Sequence, residues 1–183
     1  MIETPRLLLR AWRESDREPF RRMNRDPRVM EFFPKLLSGV ESDELADRIG
    51  AALERRGFGL FAAEVRESGA FAGFIGLSVP SFEAHFTPCV EIGWRLDVPY
   101  WNQGLATEGA QAVLRYGFEV VGLGEIVSFT AAVNLRSIRV MEKLGMRHDP
   151  ADDFDHPSLP EGHLRRHVLY RLAKQDRPGG LSH

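Results

Sequence analysis

The chain has 183 residues, 43% of them apolar and 27% charged, with a formal net charge of −2. This is the length and composition of one globular domain with a sizeable core, and its near-neutral balance gives no global pull toward nucleic acid or membranes. A single cysteine, Cys89, excludes an internal disulfide or thiolate metal cage. Without a membrane-length apolar run or a signal peptide's apolar core, a cytoplasmic enzyme or binding protein is the expectation.

In chain order, residues 6–12 read as a first strand. Arginines crowd the N-terminal third (Arg6, Arg10, Arg13, Arg17, Arg21, Arg22, Arg25, Arg28), but interleaved acids make this a solvated helix face. Ser15 to Glu18 resembles a capping box, and Pro19 fits the first turn of the helix that follows toward Asn24. A short helix is expected from Asp26 to Phe33, stopped by Pro34. Ser38 and Glu41 form a second capping box, followed by the stripe Leu45, Ile49, Ala52 and Leu53 and a stop at Gly57. Residues 58–66 and 70–79 pair as a hairpin around Glu67-Ser68-Gly69. After the central stretch described next, Gly122 and Gly124 break the chain. Residues 125–131 form a strand, 134–144 a helix closed by Gly145, 146–148 a strand, 149–162 a polar loop and 163–172 the closing strand. One domain over residues 1–174 with a frayed tail from 175 to 183 is expected. Seven strands with interspersed helices imply an α/β architecture built on a mixed sheet with helices on both faces.

The stretch 90–110, VEIGWRLDVPYWNQGLATEGA, changes period midway. Val90, Ile92, Trp94, Leu96 and Val98 share one parity, the pattern of a strand with one buried face. From Leu105 the helical stripe Ala106, Ala110, Val113, Leu114 and Phe118 takes over. Such a strand–glycine–helix junction aims free main-chain N–H groups and a helix dipole at one spot, which suits a phosphate. Neither G-x-G-x-x-G nor G-x-x-x-x-G-K-[ST] occurs at this junction.

What the junction resembles is the acetyl-CoA motif of GNAT N-acetyltransferases: Leu96-Asp97-Val98-Pro99 matches the strand end, and Gly104-Leu105-Ala106 the end of the pyrophosphate loop. Trp101 stands where the family has Gln or Arg. With TPRLLLRAWRESDREPF at the start and Asn134-Leu-Arg-Ser137 followed by Glu142-Lys143-Leu144-Gly145-Met146, the chain resembles the ribosomal-protein-alanine-acetyltransferase-like branch over residues 4–172. The resemblance implies the GNAT fold, a mixed, mostly antiparallel twisted sheet of about seven strands. It implies acetyl-CoA as co-substrate, no metal, and transfer of acetyl to an amine, either a protein N-terminus or a small molecule, by a monomer or homodimer. By the same resemblance, Gln103, Gly104, Ala106 and Thr107 offer N–H groups to the pyrophosphate. Leu96 and Val98 extend the strand against the pantetheine, and Asn134 holds the pantetheine arm.

Acetyl transfer needs a neutral amine, so a base must take its proton. Glu91, on the parity opposite the apolar face, is the candidate, acting through a water; the alternative is a strand residue paired with Arg95. Many family members carry a tyrosine for the leaving thiolate where this chain has Met141. Ser137 is the substitute, as acid or hydrogen-bond donor, unless it bonds back to its own helix. Asn134 equally suits a helix N-cap. Asp152, Asp153, Asp155, His156, His163 and His167 match no metal-ligand spacing, and the loop reads as an acidic attractor for a cationic acceptor. Phe20, Phe32 and Phe33 line the same groove or belong to the core. A non-catalytic acyl-CoA-binding sensor is the alternative function, supported by the missing tyrosine and Trp101.

Overall fold

The computed structural model describes residues 1–176. Nine strands form one sheet: β1 (Ile2–Glu3), β2 (Leu7–Arg10), β3 (Leu60–Val65), β4 (Phe71–Ser78), β5 (Glu91–Leu96), β6 (Glu125–Ala131), β7 (Arg147–His148), β8 (Phe154–Asp155) and β9 (Arg166–Ala173). Their order is β1-β2-β3-β4-β5-β6-β9-β7, with β8 also on β9. Every pairing is antiparallel except β5 with β6. The expected seven strands become nine through β1 and β8, two residues each and too short for a periodic signal. Four helices accompany the sheet: α1 (Arg17–Arg25), α2 (Gly39–Arg56), α3 (Leu105–Tyr116) and α4 (Leu135–Lys143).

Local chemistry explains most of these boundaries. Ser38 and Glu41 close the capping box that opens α2, and Gly57 at φ 73° ends it. Pro19 sits in the first turn of α1, where no helical N–H is lost. Ser15 is not the cap; the buried Asp16 accepts from the Arg13 N–H and forks onto Arg10 at 2.7 and 2.8 Å. Arg10 is itself buried, paired with Asp16 and Glu64, so it leaves the solvated arginine set. Residues 26–33 make turns rather than a helix, with Met30 N–H reaching Asp26 C=O and Phe33 N–H reaching Met30 C=O. Lys174–Asp176 form one 3₁₀ turn, and the remainder of the expected tail, 177–183, lies outside the described residues.

Strand parity sorts the core into two faces. Leu7, Leu9, Phe61, Ile75, Leu77, Ile92 and Leu96 pack with α3 and Met141 of α4 on one face. Phe20, Met23, Ala46, Ile49 and Phe74 join α1 and α2 to the other. The second face is continued over β6 and β9 by Phe86, Val127, Phe154 and Leu169. α3 lies close against β4 because residue 109 is glycine: an added Cβ would sit 2.4 Å from Ile75 Cδ1.

Candidate active site

β5 and β6 are parallel neighbours that share a single registered pair, Glu91 with Val127, and then diverge. In an antiparallel ladder, residues alternate the edge to which they bond. Asp97 N–H reaches Ala72 C=O, so the odd residues of β5 serve β4 and the even ones face β6. Val127 N–H meets Val90 C=O at 3.0 Å. Beyond that point side chains replace the strand: the Ser128 hydroxyl donates to Ile92 C=O at 2.9 Å, and the Trp101 indole to Leu96 C=O at 2.7 Å. Between them the main chain of Trp94 opens onto the gap without a strand partner. Val98 lies past the end of β5, its N–H taken by Asp97 Oδ1 and its C=O by Trp101 N–H. The strand therefore stops before the Val98 position named from sequence, and Trp94, which sequence reasoning missed, presents the open edge.

At the mouth of the gap the chain turns through Asn102 (φ 58°) and Gly104 (φ 78°) into α3. No side chain caps this helix, so the first-turn N–H groups at Leu105, Ala106 and Thr107 have no intrahelical or capping acceptor. Arg6 and Glu108 hold the loop: Arg6 Nη1 donates to Gln103 C=O at 2.8 Å, while Arg6 Nε, Arg6 N–H and the Thr4 hydroxyl all converge on the Glu108 carboxylate. Burial alone would raise the Glu108 carboxyl, but these bonds outweigh it and hold it below its ordinary value. A depression of about 520 Å³ runs from Gly104 along α3, lined also by Thr107, Gln111, Arg115 and Lys143. The clamp joins residues about a hundred positions apart, and no local pattern announces it.

α4 begins on the opposite side of the gap. Asn134 caps it, Oδ1 accepting from Ser137 N–H at 3.3 Å while Nδ2 donates to Thr130 Oγ1 and Ser137 Oγ at 2.9 and 3.1 Å. The Ser137 oxygen thus receives a hydrogen bond and its own proton meets no acceptor among the described residues, so it does not bond back to its helix. Met141 is 1% exposed and packs in the core. Trp101, the departure from the family pattern, ties the two helix starts together. Its ring lies 4.4 Å from the Arg136 guanidinium, and Arg136 pairs with Glu31 at 2.5 Å.

On the other face of β5 stand Glu91, Gly93 and Arg95. Burial pushes the Glu91 carboxyl up to about 8 against the opposing effect of the Ser78 hydroxyl, 3.2 Å away. The alternative pairing with Arg95 does not form, since Arg95 turns to Asn24 at 2.7 Å. A carboxyl of this kind, with no cation beside it among the described residues and a pKa near neutrality, is suited to proton transfer. Of the three phenylalanines, Phe20 is core, while Phe33 and Phe32 lie beneath the guanidinium groups of Arg95 and Arg136. Several acids of the 149–162 loop have partners in place: Asp152 pairs with Arg171, Asp155 with Arg165 and Arg166, and Asp153 meets the His148 imidazole, while Asp149 accepts from the Ala151 N–H of its own turn. Among the described residues no group of three or more His, Cys, Asp or Glu could hold a metal ion, and no helix is long and apolar enough to cross a membrane.

The family model of the acetyltransferase (GNAT) domain matches residues 6–147. The chain belongs to the GNAT acetyltransferase family. It is 32% identical over 161 residues to the uncharacterized N-acetyltransferase YnaD of Bacillus subtilis, covering 88% of this chain and 89% of that protein. It is 29% identical to the FsC-acetyl coenzyme A-N(2)-transacetylase of Aspergillus fumigatus, covering 96% of this chain and 77% of that one. Among solved structures, a GNAT-family acetyltransferase from Bacillus anthracis superposes with a TM-score of 0.79 at 28% identity, covering 95% of this chain and 98% of that one. Membership of this family implies acetyl transfer from acetyl-CoA to an amine.

Proposed function

We propose that this GNAT protein is an N-acetyltransferase in which the gap between β5 and β6 joins two half-sites on opposite faces of the sheet. The observation that carries this reading is the pairing of an uncapped α3 N-terminus on one face with a cation-free Glu91 on the other. Main-chain N–H groups from Gln103 to Thr107 take the pyrophosphate, and Gly104 adopts the left-handed turn that aims them. The open edge of Trp94 and the end of β5 at Leu96 hold the pantetheine amides, with Val98 shaping the turn behind them. Asn134 keeps one carbonyl lone pair for the arm while its other bonds fix Ser137.

The acceptor approaches from the α1–α2 face. Glu91, as carboxylate, takes a proton from the ammonium through a water. The freed amine forms the new N–C bond at the thioester carbonyl, the C–S bond breaks as the tetrahedral adduct collapses, and the second proton lost from its nitrogen passes through water to the leaving thiolate. Ser137 donates its free proton as a hydrogen bond to the departing sulfur. The motifs at Tyr100-Trp101 and at Asn134 to Met146 support placement in the ribosomal-protein-alanine-acetyltransferase-like branch, with a single cytoplasmic domain acting as monomer or homodimer. Beyond Met141 and Trp101, the two departures from the family pattern, no observation favours a sensor.

Thiol release from acetyl-CoA, measured against N-terminal peptides, amino acids, polyamines and aminoglycosides, tests the reading. Turnover with at least one amine, lost in Glu91→Gln, is expected. Silence across the panel while acetyl-CoA still raises Tm by mass action would refute it.

A further inference from the structure

Arg95 is not used by the transfer described above, and its surroundings are incomplete. Its guanidinium carbon lies 3.9 Å from the Phe33 ring centre and 5.2 Å from that of Phe74, and Nη1 donates to Asn24 Oδ1. Neither Nε nor Nη2 meets an acceptor among the described residues, and Nε is also shut off from water. No carboxylate among them lies within ion-pair distance of Arg95, whereas Arg28, Arg21 and Arg136 nearby are each paired. Of the Nε–Nη2 pair that could fork a carboxylate, Nη2 is the unmatched donor a ligand can reach, while Nε, closed to water, joins only if its surroundings shift; two rings and an amide hold the group in place.

Position gives this donor its meaning. Glu91, Gly93 and Arg95 project from one face of β5, with the Cα atoms of Glu91 and Arg95 about 13 Å apart at the strand's rise of ~3.3 Å per residue. Between them Gly93 leaves the floor bare: an added Cβ there would meet only Glu91 Oε1, at 3.9 Å. The floor therefore offers a proton acceptor at one end, an unmatched cation at the other and open space between. Resting on the transferase reading above, we propose that Arg95 binds a carboxylate of the acceptor, so that the substrate class is amine-bearing carboxylic acids rather than polyamines. Polycations meet the unneutralised Arg95, and in the 149–162 loop Asp152 and Asp155 are already paired with Arg171, Arg165 and Arg166.

The test compares each acid with its amide, β-alanine and phenylalanine against β-alaninamide and phenylalaninamide, with spermidine as the polycation. Wild type, Arg95→Lys and Arg95→Gln are assayed by thiol release, and their Tm values are compared to establish folding. Acids should exceed amides in kcat/KM by at least ~10-fold, as a charge-assisted hydrogen bond requires. Arg95→Gln should erase that ratio through KM with kcat little changed, and Arg95→Lys should restore it only in part. Equal use of acid and amide, preference for spermidine, or a ratio that survives Arg95→Gln would overturn the assignment while leaving the transferase reading intact. If no amine is turned over, the transferase reading fails separately. Calorimetric binding of β-alanine and phenylalanine to the CoA-loaded protein then decides: binding lost in Arg95→Gln supports the assignment, and absent or undiminished binding overturns it.

Discussion

Replacing Glu91 by Gln separates the proton chemistry of the site from its architecture, because the amide resembles the protonated acid in size and charge. The folded carboxyl titrates near 8 instead of its ordinary 4.5 because burial disfavours its charge. The native state then binds more protons than the unfolded chain between about pH 4.5 and 8. Stability from this group is fully present below that window, falls as pH rises through it, and is level above. At ~1.4 kcal/mol per pH unit, the full window corresponds to at most ~5 kcal/mol, and partial solvent access brings the expected value to about 2–4 kcal/mol. Urea unfolding at pH 5 and pH 9 should therefore show Glu91→Gln close to wild type at the lower pH and more stable by that amount at the higher. In parallel, wild-type kcat/KM should climb with pH through a midpoint near 8 and level off only above it, where the base is fully ionised. The variant should lose ~100-fold or more and follow only the acceptor's own ionisation. Identical stability-versus-pH curves for the two proteins, or a limb near pH 8 that persists in Glu91→Gln, would refute the assignment of a raised carboxyl acting as base.

Ser137→Ala should lower kcat by ~10–100-fold with little effect on the KM for acetyl-CoA, as loss of one hydrogen bond to a developing thiolate requires; an unchanged kcat would remove Ser137 from the chemistry. Gly104→Ala places a side chain at φ 78° and should cost ~1–2 kcal/mol while raising the KM for acetyl-CoA, read by thermal melts and initial rates. Gly109→Ala brings a Cβ to 2.4 Å from Ile75 Cδ1 and should destabilise by ~1–3 kcal/mol in urea. Adding Ile75→Val deletes that methyl and should recover part of the loss, a coupling visible in a double-mutant cycle.

The sequence determined what depends on neighbours along the chain. The period change from β5 into α3, the Ser38–Glu41 capping box, the stops at Gly57 and Gly145 and the bounds of β6 are all set within a few residues, and the structure carries each of them. The family motifs also lie in contiguous stretches, which is why the class of reaction was legible before any fold. Tertiary structure decided what depends on partners far apart. Parity placed Glu91 and Arg95 on one face, but only packing showed that Arg95 turns to Asn24 and Phe33, leaving Glu91 without a cation. The same holds for the end of β5 at Leu96, before Val98, and for the main chain of Trp94 lying beyond the one registered pair with β6, since both depend on where β6 leaves β5. Arg6, Thr4 and Glu108 clamp the loop that enters α3 through contacts that no periodicity encodes. Main-chain propensity acts over a turn or two and can be read from the chain itself, whereas the electrostatic environment of a side chain is created by whatever the fold brings beside it.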